Sequence, residues 1–155
     1  VCRHGRPGKV RHGDHLHFGE LALHAVSRAD FDYYRQREIP FTNIIAKSAD
    51  IRRGVKMGQG NIIGANTYIG TQTVIGDNNL ISYCAVVGHH NVIGDTNLLA
   101  PAMATSGSVT IGSNCIIPAG VNFINGVSVG SNVIFPVGYD VSVNIADSSH
   151  IKDRR

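Results

Sequence analysis

Tryptophan is absent from the 155-residue chain, aromatic residues make up 6% of it, and no apolar run approaches the roughly 20 residues that cross a bilayer. Without Trp and with 18 glycines, bulky helical packing is not the main theme. No long apolar run and no signal-peptide pattern at the start point to a soluble cytoplasmic protein with no membrane partner. The chain opens on Val1 rather than Met, which leaves its true start open. Cysteine is scarce. Cys2, Cys84 and Cys115 are odd in number, scattered and without CxxC spacing, which suits free thiols in a reducing compartment rather than a disulfide framework. Charge is slight too: the formal net charge is +3, with much of the excess before residue 54 and in the last few residues. That excludes an aromatic-interleaved nucleic-acid surface and leaves attraction for small anionic ligands at most.

The length suits one core, and the pattern divides it into a basic N-terminal segment over 1–41, a repeat domain over 42–146 and a tail over 147–155. Val1 to Gly19 is rich in Gly, His and Arg and has no apolar period. Its His12, His15 and His17, with Glu20, have ligand types that suit zinc or nickel; a mobile basic segment is the alternative, because nothing nearby holds them rigid. Leu21 to Val26 reads as a short strand. From Asp30, a candidate N-cap, Phe31 and Tyr34 recur at helical spacing and Pro40 closes the segment, predicting a helix over about 30–38.

From Ile45 onward one residue in six is large and apolar, through Ile51, Met57, Ile63, Ile69, Ile75, Ile81, Val87, Ile93 and Leu99, then from Ile111 to Val141. Thr105 alone departs from the series. The next residue is usually Gly, and two places earlier stands something small, such as Ala49, Thr67, Thr73, Ala85, Val109 or Cys115. Neither a helical period nor a simple strand period enforces a strict six, so the internal repeat decides the fold. Each hexad makes one short strand and one corner of a triangular coil, with the large side chain inside and Gly allowing close backbone approach. Three hexads close a coil of about eighteen residues, and successive coils pair in parallel about 4.8 Å apart. Cys115 falls in an inward slot and Cys84 at a corner. The open ends of such a solenoid need covering, for which the predicted helix and the stretch after Ala146 are available.

Residues eighteen apart lie above one another, which puts His89 in a corner column with Arg53, Thr71, Gly107 and Asn125, and His90 beside Gln72, Ser108 and Gly126. Both histidines point outward.

The hexad resembles that of the hexapeptide-repeat, left-handed parallel β-helix family. The resemblance supplies the handedness and implies an all-β solenoid of about six coils with a short α-containing N-terminal segment, assembled as a homotrimer. More narrowly, Val87-Gly88-His89-His90-Asn91-Val92-Ile93-Gly94 is similar to the motif of bacterial sialic acid O-acetyltransferases and nucleotide-sugar N-acetyltransferases. The approach segment, Asp32-Tyr33-Tyr34-Arg35 through Pro40-Phe41 to Ile44-Ile45 and Ala49, is similar to the link between domains in that group. The resemblance implies an acetyl-CoA-dependent acyltransferase whose acceptor is sugar-derived, with no metal. It makes His89 the general base, since an imidazole largely neutral at pH 7 accepts a proton; His90, beside it on the corner, is a second catalytic candidate. It also implies that CoA runs from the Gly107 amide past Asn125 and Gly138, while the acceptor approaches from Thr71 and Arg53. The sequence departs from the group in two places. His90 stands where an acidic residue often follows the base, and Leu98 where some relatives carry a second histidine. The tautomer of His89 must then be set by a backbone carbonyl, a carboxylate such as Asp95, or a neighbouring subunit. Residues 1–41 also lack the glycine-rich strand-turn-helix of a complete sugar-nucleotide-binding domain.

Two other readings use the same scaffold. A zinc hydratase resembling γ-class carbonic anhydrases needs three histidine ligands, and the repeat supplies only the adjacent His89 and His90. A noncatalytic assembly scaffold is the other.

Overall fold

The computed structural model describes residues 28–151. The helix α1 spans Arg28–Arg35, starting two residues before the sequence expectation and ending sooner. Asp30 sits inside its first turn rather than at the cap. The end is set by Glu38, which turns into the left-handed region at φ 55°. The Glu38 and Ile39 amides donate back to the Arg35 and Tyr34 carbonyls, the paired bonds of a Schellman close. The expected strand over Leu21 to Val26 and the His12, His15, His17 and Glu20 group lie outside the described residues.

Three parallel sheets form the faces of a triangular solenoid. The first sheet stacks Ile44–Ile45, Ile62–Ile63, Leu80–Ile81, Leu98–Leu99 and Ile116–Ile117. The second stacks Asp50–Ile51, Tyr68–Ile69, Val86–Val87, Ala104–Thr105, Asn122–Phe123 and Asp140–Val141. The third stacks Lys56–Met57, Val74–Ile75, Val92–Ile93, Thr110–Ile111 and Ser128–Val129. Partners such as Val87 and Thr105 are eighteen residues apart throughout these ladders. This is the parallel β-helix the hexad predicts, in the form consistent with the left-handed family.

The turn count is about five rather than about six. Above Ser128–Val129 only the second sheet keeps a full strand pair, Asn122–Phe123 with Asp140–Val141, while the other two sheets continue as single bridges, Ile116 to Ile134, Val129 to Ile145 and Ile134 to His150. The spacing contracts there, because Ser128 and Ser131 amides meet the side chains of Asn144 and Asp147, sixteen residues on.

From Ile63 upward the second residue of each strand fills the interior: Ile63, Ile69, Ile75, Ile81, Val87, Ile93, Leu99 and Ile111 are all nearly fully buried. One corner slot carries polar residues in place of apolar ones. Asn61, Asn79 and Asn97 are buried, and each side-chain oxygen accepts from the backbone amide of the coil above, ending at Cys115. Such a ladder satisfies groups that would be costly to bury alone. The glycines after the strands are required by approach: at Gly70 a side chain would begin 2.8 Å from the His89 backbone nitrogen. Beside the lower coils, Phe31 of α1 is buried against Phe41, ring centroids 4.5 Å apart, and Arg35 lies 3.4 Å from the Asp77 carboxylate. No helix among the described residues is long and apolar enough to cross a membrane.

Candidate active site

The corners joining the second sheet to the third carry the histidines. The strand Val86–Val87 delivers the chain to Gly88, and Val92–Ile93 takes it away after Asn91. Between them His90 adopts φ 56°, as do its column neighbours Gln72 and Ser108 within a few degrees. The corner is tied to those below and above it: the His90 amide donates to the Thr71 carbonyl at 2.8 Å and the Ser108 amide to the His89 carbonyl at 2.9 Å. Both imidazoles are exposed.

The two rings are perpendicular, at 87° with centroids 5.2 Å apart, and their Nδ1 atoms approach to 3.0 Å. One ring must donate and the other accept. When His89 donates from Nδ1, its Nε2 is left with a free lone pair, the state a general base needs. His90 thus stands within hydrogen-bond reach of the His89 ring, at the position where similar motifs carry an acidic residue. Asp95 does not: its carboxylate stands at the next corner, accepting from the Asp77 amide at 2.7 Å.

Gly107 lies one coil above and is buried, with the His89 ring laid on its bare face. A side chain there would begin 2.7 Å from Nε2 and 2.9 Å from Nδ1. No group among the described residues accepts a bond from the Gly107 N–H. The corners between the third and first sheets differ, since their amides are capped in series. Gln59, Asp77, Asp95, Ser113 and Ser131 each donate to an Asp or Ser side chain in the coil above. The histidine column has no such caps, so its amides stay available to a ligand. An unpaired amide beside an imidazole is the pairing that acyl transfer uses, a proton acceptor next to a donor for a developing oxyanion.

Thr71 and Arg53 continue the column below and Asn125 above, all exposed. Gly138 does not belong to it. Gly138 stands at a corner between the first and second sheets, where its amide donates to the Ala119 carbonyl. The column loses its regularity above Asn125, at the contracted corner of the last coil. On either side of the histidines, Val86 and Val92 present outward side chains that are 42% and 47% exposed, apolar walls to a polar corner.

Cys84 is exposed at a corner, and Cys115 is buried. Burial pushes the Cys115 thiol up from its ordinary 9.0. Among the described residues no three of His, Cys, Asp and Glu cluster in a way that would hold a metal ion. Sequence reasoning missed the direct meeting of the two Nδ1 atoms, because spacing places residues on a corner without giving their ring orientations.

Residues 54–89 match the bacterial transferase hexapeptide family, described as six repeats. Among solved structures, PerB from Caulobacter crescentus, in complex with CoA and GDP-perosamine, is 30% identical with a TM-score of 0.75, over 79% of this chain and 61% of that one. A mutant of perosamine N-acetyltransferase from the same organism, also with CoA and GDP-perosamine, is 28% identical with a TM-score of 0.74, over 79% and 60%. The acetyltransferase domain of PglB from Neisseria gonorrhoeae, in complex with acetyl coenzyme A, shares the fold at 21% identity and a TM-score of 0.76, over 81% and 62%. No curated protein matches the chain. The repeat and these likenesses match the hexapeptide-repeat acyltransferase family. Within it the likeness runs to sugar N-acetyltransferases, of whose length this chain spans about three fifths.

Proposed function

We propose that the protein is an acetyl-CoA-dependent acyltransferase that acetylates an amine or hydroxyl of a sugar-derived acceptor, with His89 as general base. The observation that carries this reading is the His89 imidazole lying against Gly107, whose amide has no acceptor among the described residues. An amine is the favoured nucleophile, because the 30% identical relative was solved with a nucleotide-linked amino sugar. His90 accepts the Nδ1 proton of His89 and so keeps Nε2 free. Nε2 then takes a proton from the acceptor as its nitrogen attacks the thioester carbonyl. Gly107 donates its N–H to the oxyanion that forms. When the carbon–sulfur bond breaks, His89 returns the proton to the leaving thiolate, so the products are acetylated acceptor and CoA thiol.

Acetyl-CoA extends from Gly107 past Asn125, and the acceptor enters from Thr71, with Arg53 about 10 Å below His89, at two strand spacings, to meet a phosphate. The working form is a homotrimer with parallel axes. The exposed Val86 and Val92 beside the histidines support this, since they leave apolar surface where a neighbouring subunit would complete the cleft.

The test is a thermal-shift titration with acetyl-CoA and a panel of nucleotide amino sugars, followed by assay of CoA release. A ligand that binds only the folded state raises the melting temperature. The reading expects a shift with acetyl-CoA and CoA release with at least one amino sugar. No shift at millimolar acetyl-CoA contradicts it.

A further inference from the structure

Thr105 is the one position where the interior series turns polar, and its hydroxyl sits directly behind the histidine corner. Its side chain is buried, paired in register above Val87. Burying a hydroxyl carries a cost unless it is bonded, and Val fills the same hexad position at Val87, Val129 and Val141. The fold itself therefore does not require Thr here.

The hydroxyl oxygen accepts two bonds, both from the segment that carries the histidines. The Gly88 amide donates to it at 3.0 Å while also reaching the Thr105 carbonyl at 3.1 Å. The Asn91 side-chain amide donates to it at 2.6 Å. Asn91 is itself buried, and its oxygen accepts from the Val109 amide at 2.7 Å. From the coil below, the Thr73 hydroxyl donates to the Gly88 carbonyl at 2.9 Å. That lower bond has a counterpart at another corner, where the Thr67 hydroxyl donates to the Ser82 carbonyl at 2.8 Å. The upper pair has no counterpart among the described hexads. Gly88 and Asn91 bound His89 and His90 on either side, so one hydroxyl fixes both ends of the segment.

We infer that Thr105 is a positioning residue: with Asn91 it braces the Gly88–Asn91 corner from inside and holds the His89 ring on Gly107. The inference rests on the acyltransferase reading for its consequence in turnover, and on geometry alone for its consequence in ring orientation. A buried, satisfied polar pair selects one arrangement where an apolar contact would tolerate several.

The test compares Thr105→Val, Thr105→Ser and the double variant Asn91→Val/Thr105→Val. Val occupies the slot of Asn91 in the coils above, at Val109 and Val127, so the double variant removes both polar groups and keeps an apolar interior. Turnover and the ring-nitrogen NMR spectrum of His89 are measured, with Ile111→Val as a control for general core loosening. Thr105→Val is expected to lower kcat about 10-fold, the scale of a small misplacement, with KM for acetyl-CoA unchanged. Its His89 ring signals should average or split between tautomers. Thr105→Ser should restore both. The double variant also takes the acceptor from the Val109 amide, so its melting temperature should not recover, and neither should kcat nor the single-tautomer spectrum. A purely structural role would instead make kcat follow the melting temperature across all the variants, the Ile111→Val control included. A His89 spectrum in Thr105→Val identical to that of the unaltered protein overturns the inference. The spectrum is read without turnover, so an inactive wild-type protein defeats the functional proposal while this inference is still decided.

Discussion

The His89 imidazole rests on the bare face of Gly107, one coil above, so closely that a side chain at 107 would begin 2.7 Å from Nε2. Gly107→Ala therefore separates catalysis from folding. The obstructing atoms belong to an exposed side chain that swings away at little cost, so the melting temperature should barely change. The displaced ring should lose about 10²-fold in kcat/KM, the scale of a 1 Å misplacement. Circular dichroism melts and steady-state kinetics on the same preparation check both halves.

His90 is expected to act through His89. Ala102 occupies an equivalent left-handed corner at φ 56°, so His90→Ala should fold. Removing the acceptor for Nδ1 should lower kcat about 10- to 10²-fold, as loss of an imidazole's orienting partner does, with KM for acetyl-CoA unchanged. His90→Asn suits the left-handed backbone and offers an amide oxygen, so it should recover part of the loss. Equal loss in both variants would remove His90 from this role.

The solenoid and its columns were legible because they rest on a repeat of six, which fixes at once which residues point inward and which share a corner. His89, Gly107, Thr71 and Arg53 fell into one column by counting alone, and Cys115 into its buried slot. The last coil was not legible, since its two-residue contraction arises from Asn144 and Asp147 reaching back to cap Ser128 and Ser131, bonds that no apolar period records. The start of α1 was misplaced for a related reason: Asp30 has N-cap chemistry, but it favours a helical first turn equally well. Thr105 was visible as an exception to the series without its purpose, which needed the two bonds to Gly88 and Asn91.

The asparagine ladder should matter to stability and not to transfer. Asn79 accepts from the Asn97 amide at 2.9 Å and donates to the Asn61 oxygen at 3.0 Å. Asn79→Ala strands those groups in the interior and should cost about 2–4 kcal/mol. Denaturant unfolding measures it, and kcat under folding conditions should be unchanged.

Cys115 should make the fold sensitive to alkali. Its thiol is raised by burial from 9.0, so the folded chain keeps a proton that the unfolded chain has released. The folded state then binds more protons, and stability falls with rising pH. This contribution is present in full below 9.0 and is lost as pH climbs through the raised value. Cys115→Ala should show a smaller loss of melting temperature above that pH than the unaltered protein does, whatever its stability at neutral pH.

The central claim is that the exposed His89 is the base for acetyl transfer, and His89→Ala tests it most directly. With an acceptor identified by CoA release, the variant should lose about 10²- to 10⁴-fold in turnover, the range for a missing general base, while calorimetry shows acetyl-CoA still bound with its affinity intact. Turnover equal to that of the unaltered protein, with acetyl-CoA bound, would contradict the account.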